Sequence, residues 1–415
     1  MTFRTLRVSG AALVAGLFVA TTASAQEDPE TLDAGRGLVT GSTRRIGLGG
    51  AFVALADDSE GVAINPASVA VRLPYSFTPW DYGFGVDIAI GAWLPENDIY
   101  NQPEQTGGAD STALFGSLAG NVYYQHAGFG VAAEAQRNAG SRTDRAQGIA
   151  SDLAANFGMV HLDAAYGFLD GQLLLGGGSR IVGMSFERDQ SSSGLFSKAG
   201  AGWAAGVVVK PQVAQYRLAA AYKSAIEAEL PGDGLNPPGT FHVPWEATLG
   251  FAYQFGRRPF NPPLVTAVQM ARDKPGKAEP TPSEIKEADD ELFDRYLRLQ
   301  RRYLLISTEL SLIEGGGRLG FSDQSADSGP IVSPRVGVET EIIAHHLRLR
   351  GGSYYEPALV DGATPRVHGT GGLDVRLFRW NVFGLIDRFD YWQLSLAADA
   401  ARAYLNTSFS IGFWH

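Results

Sequence analysis

The feature of this sequence that most constrains its fold is a period-two alternation of apolar and polar side chains, sustained over ten residues or more. In residues 245–255, the odd positions hold Trp, Ala, Leu, Phe, Tyr and Phe, whereas the even positions hold Glu, Thr, Gly, Ala and Gln. Successive side chains of a strand point to opposite faces of its sheet, so this pattern predicts a strand with one apolar and one polar face. The pattern recurs at 160–166, 366–377, 392–399 and 408–413.

Strand length and the residues on the polar face distinguish a membrane barrel from a soluble β-sandwich, which would alternate as well. Strands of a transmembrane barrel need about 9 to 11 residues, and Gly, Ala and paired charges on the polar face favour an enclosed lumen. We therefore predict an all-β fold, a transmembrane antiparallel β-barrel of about 14 strands. The predicted strands cover residues 75–93, 120–126, 128–137, 157–168, 172–186, 199–210, 215–228, 243–255, 303–313, 334–344, 346–356, 366–378, 391–399 and 404–413.

The connections between these segments alternate in length. The predicted long loops are 95–119, 138–156 and 187–198, and the predicted tight turns are at Ala127, 169–171 and Pro211. Outer-membrane barrels place long loops outside the cell and short turns in the periplasm. An even number of strands therefore leaves both termini on the periplasmic side.

Residues 1–25 have the organisation of a secretory signal peptide. A basic start with Arg4 and Arg7 precedes an apolar run over residues 11–19 and a small-residue cleavage site at 23–25. No later stretch reaches the roughly 18 uncharged apolar residues of a membrane-spanning helix. Export and strand pattern together predict a multi-pass barrel in the outer membrane of a Gram-negative cell, surrounded by outer-membrane lipid and inserted by the outer-membrane assembly machinery.

Composition excludes several classes of function. The formal net charge of −10 has the wrong sign for binding nucleic-acid phosphates. A chain without Cys forms neither disulfides nor thiolate metal sites. The seven His residues show no metal-binding spacing, and the sequence contains neither a phosphate loop nor a hydrolase elbow. We therefore expect no metal, no cofactor, no nucleic-acid partner and no enzymatic activity.

A stretch rich in Gly and Ala precedes the first predicted strand. Residues 47–67 read GLGGAFVALADDSEGVAINPA. This stretch resembles the N-terminal hatch of the FadL-type long-chain fatty-acid transporter family, and residues 346–378 look like the last strands of that family. The residues that carry the hatch resemblance are Asp57, Asp58, Asn65, Pro66 and Ala67.

The resemblance implies a barrel plugged by its own N-terminus. We accordingly expect a hatch over residues 26–72 and the barrel over residues 73–415. In that family, hydrophobic molecules diffuse out sideways through an opening made by a kink in the third strand, close to the Asn-Pro-Ala of the hatch. Gly128 and Gly130 begin the third predicted strand, and glycine makes a bend least costly, so they are candidates for that kink. The Asn-Pro pair also predicts a turn in its own right.

The acidic pair of the hatch has two interpretations. The functional interpretation of Asp57 and Asp58 is a cation site or a paired acid and base. The structural interpretation, which we favour, is that they accept hydrogen bonds from hatch amides or pair with Arg44 and Arg45.

Four Arg side chains are predicted to point into the lumen from two neighbouring strands. They are Arg348, Arg350, Arg366 and Arg376. A planar guanidinium suits bidentate binding, so their functional interpretation is contact with the carboxylate of an amphipathic ligand. The structural interpretation, which we favour, is charge pairing with the hatch and with Glu339, Glu341 and Asp374.

Residues 257–302 interrupt the strand pattern with a linker and an amphipathic helix. Thr281, Pro282 and Glu284 have the positions of an N-cap, a first helical residue and a capping box. Strand parity places the helix, near residues 283–303, on the periplasmic side. There it either packs on its own barrel, which we favour, or docks a periplasmic protein.

These observations lead to one function and one alternative. The leading hypothesis is an outer-membrane diffusion channel for hydrophobic or amphipathic small molecules such as long-chain fatty acids, gated by the hatch. The alternative is a barrel scaffold that anchors a secretion or surface-attachment complex, because related barrels share a similar hatch motif and the inserted helix offers a docking element. Growth of a deletion strain on fatty acids, and co-purification of periplasmic proteins, distinguish the two.

Overall fold

A computed structural model describes most of the chain. The described residues are 31–33, 39–72, 79–91, 97–99, 101, 112–143, 150–188, 196–230, 239–273, 279–298, 301–315, 318–319, 329–358, 363–380 and 391–414. The predicted signal peptide lies outside these residues, as does the predicted start of the hatch at residue 26.

Fourteen antiparallel strands form a closed barrel, in which the last strand pairs with the first. Each barrel strand overlaps one of the predicted segments, so the predicted fold class and strand number are confirmed. The strands are β1 (Trp80–Gly91), β2 (Thr112–Tyr124), β3 (Ala127–Thr143), β4 (Ala150–Phe168), β5 (Leu173–Arg188), β6 (Phe196–Val209), β7 (Tyr216–Lys223), β8 (Glu246–Gly256), β9 (Tyr303–Ile313), β10 (Ile331–Ile343), β11 (Leu347–Glu356), β12 (Arg366–Arg376), β13 (Tyr391–Ala401) and β14 (Tyr404–Trp414).

The alternation in the sequence corresponds to the two faces of the barrel wall. In β8, Phe255 is 51% exposed, whereas the preceding Gln254 is 3% exposed. In β12, Val367 is 68% exposed and the following His368 is fully buried. Apolar side chains therefore point outward and polar side chains point into the lumen, which is the arrangement of an outer-membrane barrel surrounded by lipid.

The two ends of the barrel differ in the length of their connections. Tight turns join β2 to β3 and β4 to β5 at one end, which we call the periplasmic end. At the opposite, extracellular end, the predicted loop at 138–156 is wrong in its bounds, because β3 continues to Thr143 and β4 begins at Ala150. The two strands stay paired through this region, so the hairpin extends beyond the height that lipid requires.

A second, four-stranded sheet lies at the extracellular end and was not predicted. Its strands are Arg318–Leu319, Thr31–Asp33, Gly239–Val243 and Ile226–Leu230. The segment 215–228 is therefore not one strand, because the chain leaves the wall after β7. The first described residues also lie at the extracellular end rather than in the periplasm, because the hatch adds one passage through the lumen before β1.

Residues 39–72 fill the lumen as the predicted hatch, with short helices rather than strands. The helices are α1 (Thr43–Gly47), α2 (Asp58–Gly61) and a 3-10 helix (Pro66–Ala70). Phe52 and Leu55 of the hatch pack in one buried cluster with Leu174, Val208 and Leu305 of the wall. Removing this apolar surface from water stabilises the hatch inside the barrel.

The insertion between β8 and β9 contains the predicted helix, α4 (Pro282–Leu297). Its predicted start is confirmed, since the backbone N–H of Thr281 donates a hydrogen bond to the Glu284 carboxylate (2.9 Å). A shorter helix, α3 (Ala267–Arg272), was not predicted, and the two helices pack through Ala271, Ala288 and Leu292. Within the described ranges, no helix is long and apolar enough to cross a membrane.

Candidate functional site

The predicted gate residues 65–67 lie at the periplasmic end of the hatch. The Asn65 side chain accepts a hydrogen bond from the backbone N–H of Ala67 (3.0 Å). Its amide group donates to the carbonyl oxygens of Val53 in the hatch and Val207 in β6 (3.4 Å each). Asn65 therefore forms the turn that the sequence predicts and also links the hatch to the wall.

The acidic pair of the hatch is held by neighbouring groups. Arg44 Nη1 donates to the Asp57 carboxylate (2.8 Å), so the predicted pairing of Asp57 with Arg44 is present. Asp58 is buried against β1, where a Cβ on Gly83 would lie 1.5 Å from Asp58 Oδ1. Among the residues with described positions, no group of three His, Asp or Glu side chains is arranged to hold a metal ion.

Three acidic side chains of the wall bind the upper part of the hatch. Asp87 in β1 accepts a hydrogen bond from a backbone N–H of α1 (2.7 Å). Glu309 in β9 accepts from the consecutive backbone N–H groups of Phe52 and Val53 (3.0 and 2.7 Å). Glu339 in β10 accepts from the hatch guanidinium of Arg44 (2.9 Å). These contacts fix the hatch to several strands at once.

Glu60 is the hatch carboxyl whose titration is most strongly perturbed. It lies 3.5 Å from Arg44, which also binds Asp57 and Glu339. Burial raises the pKa of Glu60 to about 8, and the nearby guanidinium opposes that rise. Glu60 therefore keeps its proton to a higher pH than an ordinary carboxyl group.

The glycines that begin β3 make room for the hatch. β3 pairs with both neighbouring strands without a register shift from Ala127 onward, and a kink at Gly128 and Gly130 stays a prediction. A Cβ on Gly128 would lie 1.6 Å from the carbonyl oxygen of Val69, and one on Gly130 would lie 2.6 Å from Val69 Cγ1. The sequence does not distinguish a strand bend from close approach of another backbone, because both need glycine.

The predicted Arg residues of the lumen have protein partners. Arg350 donates to Glu339 (2.6 Å) and to both carboxylate oxygens of Asp374. Arg348 lies 3.8 Å from Glu341 and 3.7 Å from Asp374. This is the charge pairing that we favoured, and contact of these guanidiniums with a ligand stays a prediction.

The other two predicted Arg residues lie nearer the ends of β12. Arg366 donates to Glu356 (2.8 Å) near the extracellular end. Arg376, at the periplasmic end, lies over the ring of Tyr391 with 4.2 Å between its Cζ and the ring centroid. The four guanidiniums therefore do not converge on one site.

A different set of residues encloses a cavity of about 140 Å³ on the extracellular side of the hatch, which we call the upper cavity. The lining of the upper cavity is amphipathic. Its apolar lining includes Phe115, Phe157, Met159, Val182, Val243 and Ile313. Its charged lining includes Arg45, Glu134, Arg180, Lys223, Glu246 and Arg335.

Among the described residues, neither Arg45 nor Arg180 forms an ion pair with an acidic side chain, although the charges of Glu134 and Glu246 act on both. Arg45 donates to a backbone carbonyl oxygen (2.8 Å), and Arg180 donates to a backbone carbonyl oxygen (3.0 Å) and to the sulfur of Met159 (3.7 Å). Both Nε atoms are buried without a hydrogen-bond acceptor among the described residues. Lys223, in contrast, lies 3.4 Å from the Glu246 carboxylate. The upper cavity thus contains two guanidiniums that remain able to bind an anion.

No pattern in the sequence marks Arg45 and Arg180 as residues of one site. Arg180 falls at an inward position of the alternation in β5, so its direction was predictable. Its convergence with Arg45 was not, because that depends on how far the hatch extends into the lumen.

Comparison with known proteins gives similarity of fold without similarity of sequence. The sequence matches no protein-family model and no curated protein. A FadL homologue from Pseudomonas aeruginosa is 14% identical, with 92% of this chain and 98% of that chain covered and a TM-score of 0.51. The CymD monoaromatic hydrocarbon channel is 13% identical, with 91% and 97% covered and a TM-score of 0.54. A mutant of the TodX monoaromatic hydrocarbon channel is 13% identical, with 90% and 98% covered and a TM-score of 0.51. The chain has the fold of the FadL-type outer-membrane channels, as the resemblance of its hatch predicts.

Proposed function

We propose that this protein is an outer-membrane channel for hydrophobic and amphipathic small molecules, long-chain fatty acids included, and that its hatch gates their passage. The observation that carries the proposal is the upper cavity, where an apolar wall faces the guanidiniums of Arg45 and Arg180. A fatty acid has the two matching parts, a hydrocarbon chain and a carboxylate. The solved channels of similar fold, two of them for monoaromatic hydrocarbons, support transport of hydrophobic compounds.

The energetics of the upper cavity favour an anionic ligand. A buried charge without a partner is destabilising by several kcal/mol, and each charge-assisted hydrogen bond to a carboxylate regains roughly 1.5–3 kcal/mol. Each buried methylene group adds about 0.8 kcal/mol. A long-chain acid therefore gains from both walls, whereas its alcohol analogue gains from the apolar wall alone.

Uptake of an acid and its alcohol analogue tests the proposal. In a deletion strain complemented with the Arg45→Gln/Arg180→Gln variant, we expect palmitate uptake to fall about tenfold or more, because roughly 1.5–3 kcal/mol of binding is lost. Hexadecanol uptake should stay unchanged. Arg295→Gln, on the exposed face of α4, is the matched control and should alter neither. An equal fall in the uptake of both compounds would show that the guanidiniums do not recognise the carboxylate.

Gating follows from how completely the hatch fills the lumen. Pockets for drug-sized ligands usually measure about 300–1,000 Å³. The upper cavity, at about 140 Å³, is smaller than that and is closed below by the hatch. A long-chain acid that crosses the barrel therefore needs the hatch to release its contacts with Glu309 and Val207 of the wall.

The remaining expectations about partners and chemistry stay predictions. The channels of similar fold support a transport role rather than an enzymatic one. Docking of a periplasmic protein on α4, and with it the scaffold function, has no contact in the described residues that favours it over the packing of α4 on α3.

A further inference from the structure

A second group of buried cations lies below the hatch, at the periplasmic end of the barrel. Lys210 follows β6 in a turn and Arg72 ends the described hatch, and they are 8% and 7% exposed. Both line a cavity of about 30 Å³, which we call the lower site. The 3-10 helix of the hatch contributes Ala70 to the same lining, so the lower site lies on the opposite side of the hatch from the upper cavity.

Lys210 lacks a neutralising partner among the described residues. Within the described part of the chain, the backbone N–H of Lys210 donates a hydrogen bond to a backbone carbonyl oxygen (2.8 Å). Its charged neighbours are Arg217, Arg72 and Asp57, and the Asp57 carboxylate already accepts a hydrogen bond from Arg44 at 2.8 Å. Burial, with repulsion from the two guanidiniums, lowers the pKa of Lys210 to about 7. Arg72 donates to the backbone carbonyl oxygens of Pro79 and Gln125 (3.2 and 3.3 Å) and is also influenced by the charge of Asp81. Lys210 is therefore the buried cation of the lower site that a bound anion would stabilise most.

The rest of the lining indicates which kind of anion fits. Pro262, Pro263 and Leu264 form an apolar side beside the cations. Asp170 is exposed in the same lining, and its charge disfavours ligands with more than one negative charge. The site therefore combines a cationic end, an apolar side and space for a group about the size of a carboxylate.

We propose that the lower site binds the carboxylate of an amphipathic monoanion that has passed the hatch, with Lys210 and Arg72 as its cationic contacts. The direction of travel rests on the proposed function, whereas binding at the site does not. In this arrangement, the acid leaves Arg45 and Arg180 above the hatch and is received by Lys210 and Arg72 below it.

Lysine NMR on the purified full-length barrel in non-ionic detergent tests the proposal. Reductive ¹³C-dimethylation keeps the charge of Lys, and the Lys210→Arg variant assigns the Lys210 signal. Hexanoate should shift that signal saturably and raise its apparent pKa by about one unit or more, because a bound carboxylate stabilises the ammonium. Hexanol and inorganic phosphate should not. The signal of Lys286, on the exposed face of α4, is the internal control.

Several outcomes would overturn the lower site. These are a Lys210 signal that hexanoate leaves unchanged, an equal response to hexanol, a phosphate response as strong as that to hexanoate, and hexanoate affinity that the Arg72→Gln variant retains. We expect that variant to bind hexanoate about tenfold more weakly.

Lys223 reports separately on the upper cavity. Selective acid uptake with a silent Lys210 would overturn the lower site alone, and hexanoate binding at Lys210 without uptake would overturn the channel function alone.

Discussion

Replacing Glu309 by Gln should loosen the hatch while leaving the barrel wall intact. Glu309 Oε2 accepts hydrogen bonds from the backbone N–H groups of Phe52 and Val53 (3.0 and 2.7 Å), and Oε1 accepts from Arg335 Nη1 (2.8 Å). A Gln side chain has the same length but carries no charge, and its NH₂ group cannot accept a hydrogen bond. The variant must therefore point a donor at Arg335 or at the two hatch amides.

The magnitude follows from the contacts that are lost. Hydrogen bonds to a buried charged group are worth roughly 1.5–3 kcal/mol each, and an ion left unpaired in the interior adds to the loss. We expect the free energy of local hatch opening to fall by about 3 kcal/mol, which corresponds to a roughly hundredfold loss of hydrogen-exchange protection. The ladder of β9 with β8 and β10 is made by the backbone, so its protection should be retained.

Hydrogen exchange with mass spectrometry on the detergent-purified protein measures both regions in one experiment. Peptides over residues 43–56 report on the hatch, and peptides over β9 report on the wall. Glu291→Gln is the matched control, because its pair with Arg295 is exposed on α4 and worth about 0.5 kcal/mol at most. Unchanged exchange in the hatch peptides of the Glu309→Gln variant, or equal loss of protection in hatch and wall, would show that Glu309 does not hold the hatch in place.

Two further predictions concern the hatch. Because the folded-state pKa of Glu60 is raised to about 8, the contribution of Glu60 to hatch stability should be greatest at low pH and fall by up to roughly 5 kcal/mol as the pH rises from about 4.5 to about 8. The Glu60→Gln substitution should remove this dependence of hatch stability on pH. Hydrogen exchange of the hatch peptides at pH 5 and pH 8.5 measures it, and an unchanged dependence in the variant would contradict the role of Glu60. Gly128→Ala should weaken hatch packing, because the new Cβ would lie 1.6 Å from the Val69 carbonyl oxygen. In the Gly158→Ala variant, the new Cβ would have no atom within 4 Å, so the melting temperature should stay unchanged. Equal melting temperatures for the Gly128→Ala and Gly158→Ala variants would contradict the close approach of Val69 to Gly128.

The barrel and its two faces were predictable from local patterns, because the period-two alternation is a property of each strand by itself. The inward direction of Arg350 and His368, and the start of α4 at Pro282, depend on neighbours along the chain. The strand number follows from counting such segments. The turn at Asn65 was predictable for the same reason, because an Asn directly before a proline favours a turn.

The parts that escaped prediction depend on contacts between distant segments. The sheet at the extracellular end pairs residues 31–33 with residues about two hundred positions away, and no local pattern encodes that pairing. A glycine at position 128 fits both a strand bend and close approach of the hatch, and its contact with Val69 of the hatch is visible only in three dimensions. The meeting of Arg45 with Arg180 depends on the depth of the hatch and the tilt of β5, which the sequence alone does not specify.

A reversible covalent lock between hatch and wall tests whether molecules cross this barrel by displacing its hatch. The chain has no Cys, and the Cβ positions of Gly47 in the hatch and Ala397 in β13 are 3.6 Å apart, which suits a disulfide. Gly372→Cys/Ala397→Cys is the matched control, since its Cβ positions are 3.3 Å apart but join β12 to β13. We predict that oxidising Gly47→Cys/Ala397→Cys stops fatty-acid uptake and that reduction restores it, whereas the control pair transports in both states. Undiminished uptake through the oxidised hatch lock would show that transport does not require the hatch to move.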